Sequence, residues 1–228
     1  LLELTIAVAD LVADPASAGP ARRLLAATLV DDPAEQVALL EAAADNGQAA
    51  DAPREVMHAM ITLGRLHAAA GRPREAMIAY DRAVSALMAL PDDLEEAEQV
   101  LAEAARMSEA AGAPAVALAT LHRWHEHCRA RGDRQALGHA GYALGGHMVA
   151  LGEYEEARGP LKEALALLSE MGDDGRLIRT HLHLLVTHYA LGEPEAAARH
   201  LAEALRLRSR VEDPEVLAEI EREFGQLM

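Results

Sequence analysis

Eleven histidines and a single cysteine are the side chains of this 228-residue sequence with the widest chemical reach. The densest group is His122-Arg123-Trp124-His125-Glu126-His127-Cys128. On a helix, His122 and His125 share a face, as do His125 and Cys128, because each pair is three residues apart. Imidazole and thiolate are ligands that zinc accepts. However, no HExxH motif is present and no second motif supplies a converging fourth ligand, so the sequence implies neither a metal nor a cofactor. Cys128 beside His127 is not a nucleophile–base pair either, since successive helix residues diverge. His181, His183 and His188 form a second group. His181 and His188 stand seven apart on one helix face and read as core or interface histidines, with a pH-sensitive or ligand role as the alternative. Runs such as Glu95-Glu96 and Glu155-Glu156 read as solvated faces, and no pair of carboxylates stands out as a glycosidase-like couple. The expectation is a protein that is not an enzyme.

The elements that carry these residues follow from composition. Apolar residues make up 51% of the chain, with 50 alanines and 34 leucines, while Phe, Trp and Tyr together supply only 3%. Ala and Leu head the helix-propensity ranking, and a sandwich or barrel would need more aromatic and β-branched residues. Acidic residues outnumber basic ones 37 to 21, for a formal charge of −16. That balance disfavours direct binding to nucleic-acid phosphates or to an anionic membrane surface. No stretch approaches 18 uninterrupted apolar residues, and the opening LLELTIAVADLVADP lacks the basic head of a signal peptide. A lone Cys128 cannot form an internal disulfide, which fits a cytoplasmic location. The sequence opens on Leu1 rather than Met and so reads as a piece of a longer protein.

A period organises the chain. Gly71, Gly112, Gly152 and Gly192 are separated by 41, 40 and 40 residues. Five residues after each comes Ala76, Ala117, Ala157 or Ala197, and nine after comes Tyr80, Leu121, Leu161 or Leu201. Twelve after stand Ala83, Trp124, Ala164 and Ala204, and before the pivot Leu63-Gly64 and Leu144-Gly145 occupy matching places. Each glycine ends one apolar-periodic run and another begins two or three residues later, often at a proline: Pro73, Pro114 or Pro194. Glycine tolerates the left-handed conformation that stops a helix, and proline suits the first turn of the next. The unit is therefore a tight helical hairpin that must stack on neighbours to bury its stripe. Asp32-Pro33, Asp92 with Glu95, Gly132-Asp133, Gly172-Asp173 and Asp213-Pro214 supply the stops and caps between units. The spacing predicts helices near 2–13, 20–30, 33–45, 53–70, 73–90, 93–111, 114–131, 134–151, 153–170, 174–191, 194–209 and 214–226. Asp31, Leu40 and Ala43 fall one period before Gly71, Tyr80 and Ala83. Residues 1–50 thus read as leading helices with one degenerate hairpin, 53–210 as four hairpins and 211–228 as a capping helix. Gly47 to Pro53 reads as a loop or minor hinge.

On these residues the sequence resembles the tetratricopeptide repeat family. The best match is Leu144, Gly145, Gly152, Tyr154, Ala157, Leu161 and Ala164, followed by Leu63, Gly64, Gly71, Ala76, Tyr80 and Ala83. The unit at Gly192 replaces the Leu-Gly glycine with Leu185, and the unit at Gly112 has Trp124 where a small residue is usual. The period of about 40 exceeds the family's usual 34. That longer spacing is similar to the helical-repeat sensor regions of large bacterial transcriptional regulators, of the maltose-regulon activator type or the actinobacterial ATPase type. The resemblance implies an all-α fold, an α-α superhelix or solenoid of hairpins, acting as a non-catalytic binding scaffold. A free-standing adaptor that self-associates through terminal helices is the alternative, and a metal-binding or enzymatic protein using the histidines a remote one.

By the same resemblance, the first helix of each hairpin lines a concave groove. Thirteen residues before the pivots stand His58, Gln99, His139 and Arg179. Ten before are Ile61, Ala102, Tyr142 and Leu182, six before are Arg65, Arg106, Gly146 and Val186, and three before are Ala68, Glu109, Val149 and Tyr189. The expected groove is apolar and aromatic toward the C-terminal half and carries arginines toward the N-terminal half. It would take a peptide, a protein segment or a small effector, with Arg65, Arg106 and Arg179 meeting carboxylates. Equally, these arginines could contact Glu side chains within the solenoid itself.

Overall fold

The computed structural model describes residues 2–11, 14–28, 32–90, 94–211, 217–218 and 221–222. Among them are eleven α-helices and no strand. They are α1 Leu2–Leu11, α2 Pro15–Ala26, α3 Pro33–Ala49, α4 Pro53–Ala69, α5 Pro73–Leu87, α6 Leu94–Ala110, α7 Pro114–Arg131, α8 Arg134–Leu151, α9 Tyr154–Met171, α10 Asp174–Ala190 and α11 Pro194–Arg208. The chain forms two compact units, residues 1–120 and 121–228, with the division inside α7. In the first unit each of α1 to α5 packs on the helix that follows it. In the second, α8 packs on α9, α9 on α10 and α10 on α11, and α10 also lies against α8. Each unit is thus a row of helical hairpins, the all-α solenoid packing expected.

The local signals act as the chemistry requires. Gly71, Gly112, Gly152 and Gly192 all take the left-handed conformation, with φ between +68 and +80. Gly132 and Gly172 take it at the turns between hairpins, and each is followed by an aspartate cap. Asp133 accepts from the Ala136 N–H at 2.9 Å and Asp173 from the Arg176 N–H at 3.0 Å. Asp32 caps α3 through the Glu35 N–H at 3.0 Å. Prolines open α2, α3, α4, α5, α7 and α11, where their missing N–H costs no helical bond. Asp31, the cap at Asp92–Glu95 and the cap at Asp213 with the helix expected over 214–226 lie, wholly or largely, outside the described residues.

Helix α2 ends at Ala26 and α5 at Leu87, a turn short of expectation, and two further boundaries have an identifiable cause. Helix α2 begins at Pro15, not near residue 20, because Asp14 caps it through the Ala16 N–H and Pro15 takes the first helical place. Pro20 therefore sits inside the helix. Helix α3 continues through Gly47 to Ala49, so the loop expected from Gly47 to Pro53 shrinks to residues 50–52. Gly47 is a packing residue: an added Cβ would lie 3.0 Å from the Val56 side chain and 3.1 Å from its backbone nitrogen. The turn is made by Asp51, a non-glycine residue at φ +52.

The Leu-Gly pairs have a specific use. A Cβ on Gly64 would fall 2.7 Å from Tyr80, and one on Gly145 would fall 2.5 Å from Leu161. In both hairpins the glycine on the first helix is the space that the side chain sixteen residues later fills. Tyr80 and Leu161 are buried as a result, as are Ala76, Ala83, Ala157 and Ala164. The hairpin at Gly192 shows the converse: with Leu185 at the glycine place, Leu201 is 36% exposed. Trp124 is accommodated at its unusual place by stacking on His127, with ring centroids 5.7 Å apart. Gly64→Ala and Gly145→Ala should each lower the unfolding free energy by about 1–3 kcal/mol through overpacking, despite the better helix propensity of alanine. Urea unfolding checks this, and a gain in stability would contradict the packing role.

Candidate binding site

In the first unit, three first helices contribute to one pocket of about 340 Å³. Arg23 comes from α2, His58, Ile61, Thr62 and Arg65 from α4, and Glu96, Gln99 and Val100 from α6. Ile61 and Val100 are buried and form the apolar floor. Across the α4–α6 seam, Arg65 binds both oxygens of Glu103, at 3.1 Å from Nε and 2.8 Å from the terminal nitrogen. The buried Tyr80 donates to the same carboxylate at 2.6 Å, and Gln99 does so at 3.3 Å. Burial opposes the charge on Glu103, but its bonds from Arg65, Tyr80 and Gln99 prevail and hold its carboxyl below the usual range. Burial and the bond to Glu103 together push the Tyr80 hydroxyl far up, so it remains a donor. A turn and more earlier, Glu96 takes His58 at 2.9 Å and Arg54 at 3.2 Å. Arg23 reaches from α2 to Glu55 on α4 at 2.9 Å.

The expected residues His58, Arg65 and Gln99 are therefore brought together, and Ile61 lies beneath them. Arg106 stands exposed on α6, one turn beyond Glu103. Of the two readings weighed for the arginines, Arg65 follows the internal one, since its carboxylate is Glu103 of this chain. Arg23, Thr62 and Val100 were not singled out from sequence, and Glu96, read there as part of a solvated face, is instead bonded to His58 and Arg54. One signal points to the carboxylates: Glu96 and Glu103 lie 38 residues after His58 and Arg65, and Glu163 lies 38 after its partner His125.

The second unit arranges its expected residues differently. Tyr142 on α8 meets His183 on α10, with ring centroids 5.7 Å apart. His183 fills the space above Gly146, where an added Cβ would come within 2.9 Å of its Nε2. Burial and the nearby Arg179 charge push the His183 imidazole down to about 4. His139 is buried, with Nε2 3.8 Å from the Asp173 carboxylate. Leu182 is not a lining residue: it sits in the core cluster with Ala164, Leu168, Leu177, Ile178, Ala204 and Leu207. Val186 is half-buried and Tyr189 is 74% exposed at the end of α10.

The histidine groups disperse. His122 is exposed, His125 is buried against Glu163 at 2.8 Å, and Cys128 is buried. His181 and His188 are core residues, and sequence reading missed their partner His200 on α11. The Nδ1 atoms of His181 and His200 are 2.9 Å apart, and the His188 and His200 rings stack at 5.2 Å. His188 also bonds Glu193. Among the described residues no three His, Cys, Asp or Glu side chains are placed to hold a metal ion. No described helix is long and apolar enough to cross a membrane.

Comparison with known proteins agrees with this geometry. Residues 186–215, spanning the end of α10 and α11, match the tetratricopeptide repeat family. No curated protein matches the chain as a relative. Among solved structures, aspartyl phosphate phosphatase F from Bacillus subtilis is similar at 15% identity and a TM-score of 0.56, over 89% of this chain and 54% of that one. The chain thus spans about half the length of that phosphatase. BtubC from P. vanneervenii is similar at 18% identity and a TM-score of 0.56, over 92% and 91% of the two chains. A Podospora anserina kinesin light chain with nearly identical TPR-like repeats gives 17% identity and a TM-score of 0.54, over 84% and 94%. The chain has a tetratricopeptide-type helical-repeat fold.

Burial and neighbouring charges hold His200 down to about 4, and burial lowers His181 as well. A base whose folded value is depressed stabilises the fold above the unfolded value of about 6.5, and that stability is lost as pH falls toward 4. The urea midpoint should therefore drop between pH 6.5 and 4. NMR should show the His183 and His200 rings titrating near 4. Ring titrations between 6 and 7 would contradict their burial as neutral groups.

Proposed function

We propose that this chain is a non-catalytic scaffold that holds a protein segment or small effector on the first helices of its hairpins. We place it as the sensor or interaction region of a bacterial transcriptional or signalling regulator. The observation that carries the binding role is the open pocket of about 340 Å³ on α2, α4 and α6. Its size falls within the range of ligand sites, and its wall is mostly polar over a small apolar floor of Ile61 and Val100. Ion pairs on the pocket wall pin Arg65, His58 and Arg23, so a ligand meets side chains already ordered and loses less entropy on binding. His58, Arg65, Gln99 and Arg106 are the contacts assigned on this face. Tyr142, Val186 and Tyr189, with His139 and Arg179, are the contacts assigned to α8 and α10. The 40-residue period supports the regulator context, because it is the spacing shared with the helical-repeat regions of such proteins.

Selection of a displayed peptide library on the full chain tests the docking role. Selected peptides should lose about tenfold or more in affinity when Thr62→Trp fills the pocket mouth, a cost near 1.4 kcal/mol. Ile78→Ser, on the exposed face of α5, should leave them unchanged. If no peptide is selected, or all tolerate Thr62→Trp, the pocket is not the docking site.

A further inference from the structure

Asp51 is the odd member of a series. Gly71, Gly112, Gly132, Gly152, Gly172 and Gly192 make a left-handed turn between helices, and Asp51, twenty residues before Gly71, makes it at φ +52. That conformation is unstrained for glycine and costs free energy to a residue with a Cβ. What the aspartate adds at this turn is a carboxylate, and it lines a cavity of about 240 Å³. Gln48 and Asp51 reach the cavity from the end of α3 and its turn, Val56 from α4, and Arg82 and Ala86 from one face of α5. None of its lining residues belongs to the pocket on α2, α4 and α6. Val56 and Ala86 are buried and make its apolar floor. Above the floor, one carboxylate and one guanidinium stand on different walls, and no ion pair joins Asp51 to Arg82 among the described residues. Arg82 leans instead to Asp45 at 3.5 Å, with both side chains exposed. A contact of that length between exposed groups contributes little and is readily exchanged.

From these walls we propose that the α3–α4 turn and α5 bind a free aliphatic α-amino acid. Its ammonium bonds Asp51, its carboxylate bonds Arg82, and its side chain lies on Val56 and Ala86. The C-terminal end of α3 adds partial negative charge on the Asp51 side, which favours an ammonium there. The guanidinium fork of Arg82 matches a carboxylate. A purely anionic ligand would meet Asp45 and Asp51, and a purely cationic one would meet Arg82. A molecule with both charges satisfies both walls and, being neutral overall, is not repelled by the chain's charge of −16. Size points the same way. At ~30 Å³ per water the cavity has room for about eight waters, the bulk of leucine or valine and too little for a peptide segment. A residue within a peptide has also lost both terminal charges to its amide bonds.

NMR titration of the isotope-labelled full chain tests this with three probes. They are L-leucine, L-leucinamide, which lacks the carboxylate, and isocaproate, which has the same skeleton without the ammonium. Leucine should shift the amides of 47–53 and 82–89 with a Kd below about 1 mM, and each truncated analogue should bind about tenfold or more weakly. Asp51→Asn and Arg82→Gln, both at exposed side chains, should each weaken leucine about tenfold. Asp51→Gly should weaken it equally while holding or raising the urea midpoint, because glycine relieves the turn. No shift with leucine at about 10 mM overturns the proposal. So do shifts centred on α2, α4 and α6 instead, an analogue that matches leucine, or an Asp51→Gly chain that binds leucine as the parent does. A urea midpoint lowered by Asp51→Gly overturns it too, since the aspartate would then serve the fold.

Discussion

How closely two helices can approach is set by the smallest side chain between them, and in both hairpins with a Leu-Gly pair that side chain is a hydrogen. Tyr80 and Leu161 occupy the volume that a Cβ on Gly64 or Gly145 would take. Alanines at the neighbouring positions keep the rest of each seam narrow. Interiors packed to this density do not give way continuously, so the spacing of the first helices is a discrete property of the hairpin. The pocket depends on it, because Tyr80 is at once the filler of the Gly64 gap and a donor to Glu103. The α4–α5 seam is thereby tied to the α4–α6 face.

That tie gives the charge network its form. Glu103 would be costly to bury alone, and it accepts three side-chain donors, from Arg65, Tyr80 and Gln99. The more exposed ion pairs contribute little to stability on their own. Their effect is geometric: each cation on α2 or α4 is anchored to a carboxylate on the next first helix, which fixes which atoms face outward. A chain with a strong negative charge can in this way present a local surface of donors.

The second unit uses the same framework with other side chains. An imidazole takes the place above Gly146, and a contact of three imidazoles joins α10 to α11. Burial lowers His181 and His200 there, so the α10–α11 hairpin is one place where acid weakens the second unit.

The sequence by itself determined the helices, their stops and their period. Glycine at φ near +70, proline at a first helical place and aspartate at a cap act within a few residues, so their effect is legible locally. Two expectations failed on the same ground: the helix expected from residue 20 starts at Pro15, where Asp14 caps it, and the loop expected from Gly47 is helical there because Gly47 packs on Val56. The tertiary structure alone decided which side of each first helix faces a neighbour. A helix turns about 100° per residue, so positions placed on a face by resemblance can fall in the core, as Leu182 did, or at a pocket, as His58 and Gln99 did. The 38-residue offset shared by His58–Glu96 and Arg65–Glu103 was visible in the sequence. The depth of each carboxylate beneath its cation was not, because burial is a property of the packed helices and not of either residue.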